Sequence, residues 1–268
     1  MTAISLDCLT LTDCRPIDLV EAAGAAGFEM VSLWVQPPSI YPLQLVTPAM
    51  ESGLRSALSG TGICVSALEV FDLSGPEDVE RYLPALEMGA RLGATSATAI
   101  HLANPDISAV ADALALFSAA ARQVGLSVTI EPVSMGVTRT LADAVALILQ
   151  SGAEVGITLD FIHLARTGQG AADIAAIDPG LIKIIQICDG KRDLDAADVL
   201  AEATGERLYP GSGELALHDF LQAIATAVPR YTIECPSLAR VKQGMTHGQQ
   251  AREAMASVRR LLDACGIY

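Results

Sequence analysis

Short apolar runs rich in β-branched residues alternate along the chain with Ala- and Leu-rich stretches whose apolar residues recur at helical spacing. The runs predict eight strands, at residues 3–9, 29–35, 63–69, 95–101, 126–132, 155–160, 182–188 and 231–235. The stretches between them predict helices near residues 17–26, 46–59, 77–92, 107–124, 140–151, 171–177, 216–226 and 246–264. Strict alternation of this kind is typical of parallel strands joined by right-handed helical crossovers.

Eight strand–helix repeats favour a closed barrel over an open doubly wound sheet. The chain has 268 residues, of which 51% are hydrophobic, and a (β/α)₈ barrel has about 250 residues. The predicted fold class is therefore α/β, a single (β/α)₈ TIM barrel domain that spans residues 1–268. The longest polar interruption, residues 189–214, ends in a Gly/Pro turn, and we expect it to cover the barrel mouth, where loops after strands build active sites.

Four acidic or amide side chains lie at or near the carboxyl ends of consecutive strand-like runs. These runs are SVTIEPV, EVGITLD, LIKIIQICD and YTIECP, and the residues are Glu131, Asp160, Gln186 and Glu234. The carboxyl ends of barrel strands meet at one mouth. Three carboxylates and an amide oxygen suit a hard divalent cation, Mn²⁺ or Mg²⁺ and in some sites Co²⁺. A helix cap or a solvated loop would explain any one of these residues, but the shared pattern on four strands favours a metal site.

Strand alternation supports this interpretation. In SVTIE, Thr129 and Glu131 share one face while Ile130 lies on the other, and Thr158 and Asp160 repeat the arrangement in GITLD. The apolar face suits the helix layer and the polar face suits the lumen of the barrel.

Several further residues are candidates for contact with a substrate. His163 follows Asp160 by three residues and is a candidate for proton transfer near neutral pH. The alternative for His163 is a loop histidine. His101 ends the fourth predicted strand, and Trp34 lies at the end of the second, where it could form an apolar wall for a sugar ring or be a core or rim residue. Three arginines near the predicted mouth could hold an anionic group or be solvated loop charges, namely Arg166, Arg192 and Arg207.

Composition narrows the classes of function. The formal net charge of −14 argues against nucleic acid and against an anionic membrane surface. No glycine-rich dinucleotide fingerprint follows the first strand, so we expect neither a nicotinamide nor a flavin cofactor. No apolar stretch is long enough to span a membrane, no signal peptide is evident, and six scattered cysteines suggest reduced thiols, which together predict a cytoplasmic protein.

These motifs resemble the xylose isomerase-like barrel superfamily, which includes sugar phosphate isomerases and epimerases. The similar segments are TIEP, the DxxH of LDFIH, QICD, PGSGE and TIECP, and they extend over nearly the whole chain. The resemblance implies that the four residues bind one divalent metal and that Glu131 and Glu234 exchange protons with the substrate. Gln186 stands where many epimerases of the family have His, and a Gln at this position resembles the hydroxypyruvate isomerase and 3-dehydroshikimate dehydratase branches. Endonuclease IV is another relative, but four histidines and the acidic balance argue against a nuclease.

The resemblance implies a divalent-metal-dependent isomerase or epimerase of a small sugar or keto-acid substrate, which moves a proton through a metal-bound enediolate. Two alternatives stay open: a metal-dependent dehydratase that eliminates a β-hydroxyl, and a non-catalytic barrel that binds a metabolite. Related barrels often form dimers or tetramers, so a homo-oligomer is also expected.

Overall fold

The computed structural model describes residues 3–36, 44–224 and 229–267, and eight strands in them close into one parallel barrel in chain order. The barrel closes where Ser5 pairs with Thr232. This confirms the predicted eight-stranded α/β barrel. The strands are β1 (Ile4–Leu6), β2 (Met30–Trp34), β3 (Cys64–Asp72), β4 (Ser96–Ile100), β5 (Ser127–Ile130), β6 (Val155–Asp160), β7 (Ile182–Ile187) and β8 (Arg230–Ile233).

The helices of the described residues surround this barrel. They are α1 (Pro16–Ala26), α2 (Glu51–Thr61), α3 (Glu77–Arg91), α4 (Ile107–Gln123), α5 (Leu141–Ser151), α6 (Phe161–Arg166), α7 (Ala171–Ala175), α8 (Val199–Gly205), α9 (Leu217–Ala223), α10 (Leu238–Lys242) and α11 (His247–Ala264). None of them is both long enough and apolar enough to cross a lipid bilayer.

Sequence periodicity missed three short helices, α6, α8 and α10, because five to seven residues are too few to display a 3.6-residue repeat. The helix predicted over 46–59 begins at Glu51, after a 3₁₀ turn at Pro48–Met50. The helix predicted near 216–226 is α9, and residues 225 and 226 lie outside the described residues.

Local signals fix where the helices begin and end. Thr140 accepts a hydrogen bond from the main-chain N–H of Asp143, whose carboxylate binds back to the N–H of Thr140, so that a capping box starts α5. Gly27 ends α1 with a φ of 83°, a conformation that glycine adopts without steric cost, and β2 starts shortly after it.

The barrel interior follows the predicted alternation. Ile130 and Ile157 are fully buried in the hydrophobic core. The hydroxyl groups of Thr129 and Thr158 lie 2.8 Å apart between β5 and β6 and are also buried. Small hydroxyl side chains thus fill the lumen and leave the layer above them to larger polar groups.

At the amino end of the barrel, the guanidinium of Arg230 reaches from β8 toward β3 and β4. It donates to the main-chain oxygen of Ser66 at 2.9 Å, to Ser96 Oγ at 3.1 Å and to the hydroxyl of Thr95. Burial lowers the pKa of Arg230, and all three acceptors are neutral. This end of the barrel is therefore closed by hydrogen bonds from a cation to uncharged groups.

Candidate active site

The four residues singled out by their strand positions lie together at the carboxyl end of the barrel. Asp160 ends β6, Gln186 lies near the end of β7, and Glu131 and Glu234 directly follow β5 and β8. Each residue is at most 7% exposed, and Glu131, Gln186 and Glu234 line a cleft at the mouth. The register Asp160↔Gln186↔Thr232 sets three of these strand ends at one level.

Arg207 supplies a positive charge inside this group. Its Nη1 lies 2.7 Å from Asp160 Oδ2 and 3.4 Å from Glu234 Oε2, and it also donates to the main-chain oxygen of Glu234 at 3.3 Å. All three side chains are nearly inaccessible to solvent. Together with Glu131, three carboxylates and one guanidinium carry a formal excess of two negative charges, which one divalent cation balances.

The two glutamates have strongly altered acidities. Burial, together with the charge of Asp160, raises the pKa of Glu131 well above its ordinary range. Burial also raises the pKa of Glu234, and the opposing influence of Arg207 is too small to cancel it. Buried charges of this kind need compensation by a proton or a cation, so Arg207 alone is insufficient.

Two oxygen atoms of the group have unsatisfied acceptor capacity. Gln186 Oε1 and Glu234 Oε2 are buried and accept no hydrogen bond from the described residues. The 3.4 Å approach of Arg207 to Glu234 Oε2 is an ionic contact without a hydrogen bond. A buried acceptor without a donor is costly, whereas a hard cation binds carboxylate and amide oxygens. The donor set and its charge therefore fit a divalent metal ion.

His163 lies beside two of these carboxylates. Its Nε2 is 3.7 Å from Glu131 Oε1 and 3.8 Å from Asp160 Oδ2. Its Nδ1 lies 3.0 Å from the hydroxyl of Ser134. Burial lowers the pKa of His163 to about 4, so the imidazole is neutral near neutral pH. Ligand atoms of Glu131, Asp160 and His163 all lie within 4.8 Å of one another, so His163 is positioned either to contact a substrate or to join the metal ligands.

Two further acids, Asp7 and Glu69, lie on the other side of the mouth. Asp7 follows β1 and Glu69 lies in β3, and both are buried. Asp7 accepts hydrogen bonds from the N–H of Leu9 at 2.8 Å and from Ser32 Oγ at 2.6 Å. Burial raises the pKa of both acids, and each acts on the other. The sequence analysis gave these two acids no role. The runs ISLD and SALE nevertheless end on an acid, as GITLD does.

Of the three arginines proposed for substrate binding, only Arg207 lines the cleft. Arg166 is held elsewhere, by both carboxylate oxygens of Glu202 at 2.5 and 2.6 Å and by the main-chain oxygens of Lys191 and Arg192. The structure does not bring Arg166 or Arg192 into the cleft. A buried ion pair explains the position of Arg166, and sequence spacing alone gives no sign of it.

The other two candidates also differ from each other. Trp34 lines the cleft, and its buried Nε1 has no hydrogen-bond partner among the described residues. His101 is buried with both ring nitrogens engaged, Nδ1 with Thr138 Oγ1 at 2.9 Å and Nε2 with the main-chain oxygen of Asn104 at 2.5 Å. His101 is not among the residues that line the cleft, and its contacts organise the loops after β4 and β5.

The polar segment 189–214 covers part of the mouth, as the sequence suggested. Asp189 anchors it by accepting four main-chain hydrogen bonds of 2.9 to 3.1 Å, from Gly190, Gly211, Gly213 and Leu215. The same segment contains α8 and delivers Arg207 to the cleft. The opposite wall is apolar and is formed by Leu9, Trp34, Val70, Ile100, Leu102, Val133 and Met135.

The barrel topology, the four acidic or amide residues at the strand ends and the DxxH histidine agree with one family. The chain matches the xylose isomerase-like TIM barrel family over residues 17–261. The chain belongs to this family. No curated protein matches it.

Solved structures show the same fold. A fusion protein of a xylose isomerase-like TIM barrel and 4-hydroxyphenylpyruvate dioxygenase is 21% identical, with a TM-score of 0.82; the match covers 98% of this chain and 43% of the fusion protein. The IOLI protein, solved with a bound zinc atom, is 17% identical, with a TM-score of 0.79. The match covers 100% of this chain and 99% of the IOLI protein. An L-ribulose 3-epimerase is 16% identical, with a TM-score of 0.72. The match covers 99% of this chain and 96% of the epimerase.

Proposed function

We propose that the chain is a divalent-metal-dependent isomerase or epimerase of a small hydroxy-carbonyl compound. The observation that carries the proposal is the group of four buried acidic or amide side chains at the mouth. Two of their oxygens accept no hydrogen bond from the described residues, and the charges of Glu131, Asp160, Glu234 and Arg207 sum formally to −2. Glu131, Asp160, Gln186 and Glu234 would hold the metal. The proposal agrees with the names of two structural relatives, an L-ribulose 3-epimerase and a D-psicose 3-epimerase, and with the zinc in IOLI.

The two glutamates are the groups that would move protons. When bound, the metal would polarise the substrate carbonyl as a Lewis acid and make the adjacent C–H more acidic. Glu131 and Glu234 follow different strands and reach the cleft from β5 and β8. One glutamate would remove the proton and the other, or the same one, would return it to the neighbouring carbon or to the opposite face.

His163 and Arg207 would orient the reacting groups. The neutral imidazole can donate or accept one hydrogen bond at Nε2, because its Nδ1 is engaged with Ser134. Arg207 contacts Asp160 and Glu234 and lines the cleft, so it would hold these two side chains in place. The apolar wall around Trp34 excludes water from this side and protects a strongly basic carbon.

The apolar wall also favours a second candidate, a dehydratase that expels a β-hydroxyl after the same proton abstraction. Among the cleft residues in the described parts of the chain, Arg207 is the one cation, and it is already bound to two carboxylates. A wall of aliphatic and indole groups offers few partners to an extended polyhydroxylated chain. It suits a compound with few hydroxyl groups, such as the unsaturated product of an elimination.

Solvent exchange tests both candidates. Incubation in D₂O with a panel of ketoses and hydroxy-keto acids, followed by mass spectrometry and NMR, reports deuterium uptake and the product. We expect exchange with Mg²⁺ or Mn²⁺ and none with EDTA. The double variant Glu131→Gln, Glu234→Gln should lose at least about 10³-fold of the rate, while Glu29→Gln at the amino end of the barrel serves as a control. Full activity of the double variant contradicts the proposal, and binding without exchange identifies a metabolite-binding barrel.

The product separates the two reactions. A change of configuration or of carbonyl position with unchanged mass, apart from deuterium, identifies an isomerase or epimerase. Loss of one water identifies the dehydratase.

A further inference from the structure

The amide of Gln186 must be oriented correctly if it is to serve the proposed metal site. An amide presents an oxygen on one side and an N–H₂ on the other, and only the oxygen binds a cation. A carboxylate or an imidazole at the same place needs no such choice of side. Some neighbouring group therefore has to select which end of this amide faces the carboxylates.

Glu69 is the neighbour that makes this selection. Gln186 Nε2 donates a hydrogen bond to Glu69 Oε1 at 3.5 Å, the long end of the hydrogen-bond range. Among the described residues, this is the hydrogen bond made by the side chain of Gln186. Gln186 Oε1 is left on the other side, buried and without a donor. Glu69 belongs to β3 and Gln186 to β7, so the contact crosses the barrel mouth.

Asp7 is a buried neighbour of Glu69 at the mouth. Asp7 already receives hydrogen bonds from the N–H of Leu9 and from Ser32 Oγ. Ligand atoms of Asp7, Cys8 and Glu69 lie within 4.8 Å of one another. Asp7 is held in place by these donors and occupies the space beside Glu69, and Oε1 of Glu69 serves as the acceptor for Gln186.

We infer that Asp7 and Glu69 form a positioning pair that turns the amide oxygen of Gln186 toward Glu131, Asp160 and Glu234. The inference rests on the proposed function, because the orientation of the Gln186 oxygen matters only if Gln186 and the three carboxylates bind a cation. Glu69 is a positioning residue and not a ligand. It acts through Gln186 across the mouth, as outer groups that orient metal ligands do.

Two variants of Glu69 separate this role from a general structural one. Glu69→Gln keeps the length, an acceptor for Gln186 and a donor for Asp7, so it should preserve the orientation. Glu69→Leu removes both and leaves the amide free to turn. Glu29→Leu is the control for loss of an acid on the barrel, since Glu29 binds the N–H of Ile4 at the opposite end. Thermal unfolding and circular dichroism confirm that each variant is folded.

The first measurement is calorimetric titration of MnCl₂ into the metal-stripped proteins. Outer-layer residues typically affect metal affinity by about 10- to 100-fold. We therefore expect the dissociation constant to rise by about 10- to 100-fold in Glu69→Leu, and to change by less than about threefold in Glu69→Gln and Glu29→Leu. An unchanged constant in Glu69→Leu, or an equal loss in Glu69→Gln, overturns the inference.

The second measurement does not depend on metal. In protein labelled with ¹⁵N-glutamine, the side-chain N–H₂ signal assigned through Gln186→Glu should show slow hydrogen exchange in the wild type and in Glu69→Gln. In Glu69→Leu it should shift and exchange faster. Wild-type protein that binds no Mn²⁺ contradicts the proposed function, whereas an unchanged Gln186 signal in Glu69→Leu contradicts the positioning role alone.

Discussion

The two ends of the barrel surround their central arginines in opposite ways, and Arg230 at the amino end is partly exposed. At the amino end, Arg230 donates to three neutral acceptors from β3, β4 and the residue before β4. At the carboxyl end, Arg207 lies among Asp160, Glu234 and further acids, and two oxygens there accept no hydrogen bond from the part of the chain that the structure describes. The first end is satisfied by the chain itself, and the second is not.

This difference is the physical basis for placing function at one end. A buried polar group that the chain satisfies contributes to stability and needs nothing else. A buried group with excess charge and unmet acceptors lowers stability until a cation or ligand binds. The comparison can be tested by perturbing both ends in matched ways, with and without a divalent ion.

The largest effect is expected from Arg207→Met in the absence of metal. The substitution keeps the apolar stem but removes the cation between Asp160 and Glu234, and breaking a buried ion pair costs about 3–5 kcal/mol. Urea unfolding in EDTA should show this loss in the free energy of unfolding. A saturating divalent ion should restore part of it, and a loss that is identical with and without metal argues against a shared electrostatic site.

Metal binding itself should stabilise the wild type by a somewhat smaller amount. A ligand present at 100 times its dissociation constant adds about 2.7 kcal/mol to the free energy of unfolding. Urea unfolding with MnCl₂ should show this gain, and Asp160→Asn should not, since it removes a ligand charge. An equal gain in Asp160→Asn indicates that the ion binds elsewhere.

Arg230→Met, the matched change at the amino end, should cost about 2 kcal/mol through its lost hydrogen bonds. Its effect on the free energy of unfolding should be the same with and without MnCl₂. Solvent-exchange activity per folded molecule should stay at the wild-type level. A metal-dependent effect of this variant would remove the proposed distinction between the two ends.

The pH dependence is expected to be the smallest effect, about 1.4 kcal/mol per pH unit for each proton involved. Glu131 and Glu234 have raised pKa values, so the folded metal-free protein holds more protons than the unfolded chain and loses stability as pH rises. His163, with its pKa lowered to about 4, acts in the opposite direction between about pH 4 and 6.5. The histidine therefore offsets only part of the decline below about pH 6.5, and the decline should be steeper above that pH.

Metal binding provides the check on this titration. A cation must displace the protons that Glu131 and Glu234 retain, so its affinity should rise with pH. Calorimetric titrations of MnCl₂ in two buffers of different ionisation enthalpy should reveal proton release. Binding without any proton release would contradict the raised acidities.

The sequence predicted the barrel strands well but missed three short helices that lie after strands of the barrel. The strand at 155–160 matches β6 at both ends, because β-branched residues, buried polar alternation and a following polar segment all coincide. Helix α8 escaped detection, yet it forms part of the segment that delivers Arg207 to the cleft. A helix of seven residues is too short for a clear hydrophobic repeat. Its stability depends on contacts with distant parts of the chain, which the local sequence pattern does not reveal.

The candidate site shows the same division between local pattern and long-range contact. The sequence alone predicted the barrel and the placement of the four acidic or amide residues at its mouth, because strand period and strand order bring carboxyl ends together whatever the loops do. Only the tertiary structure decided that Arg207 lies between Asp160 and Glu234, that Arg166 is bound to Glu202, and that Glu69 contacts Gln186 from the opposite strand. These contacts join residues 27 to 117 positions apart, and side-chain direction across a closed barrel is set by packing rather than by local pattern.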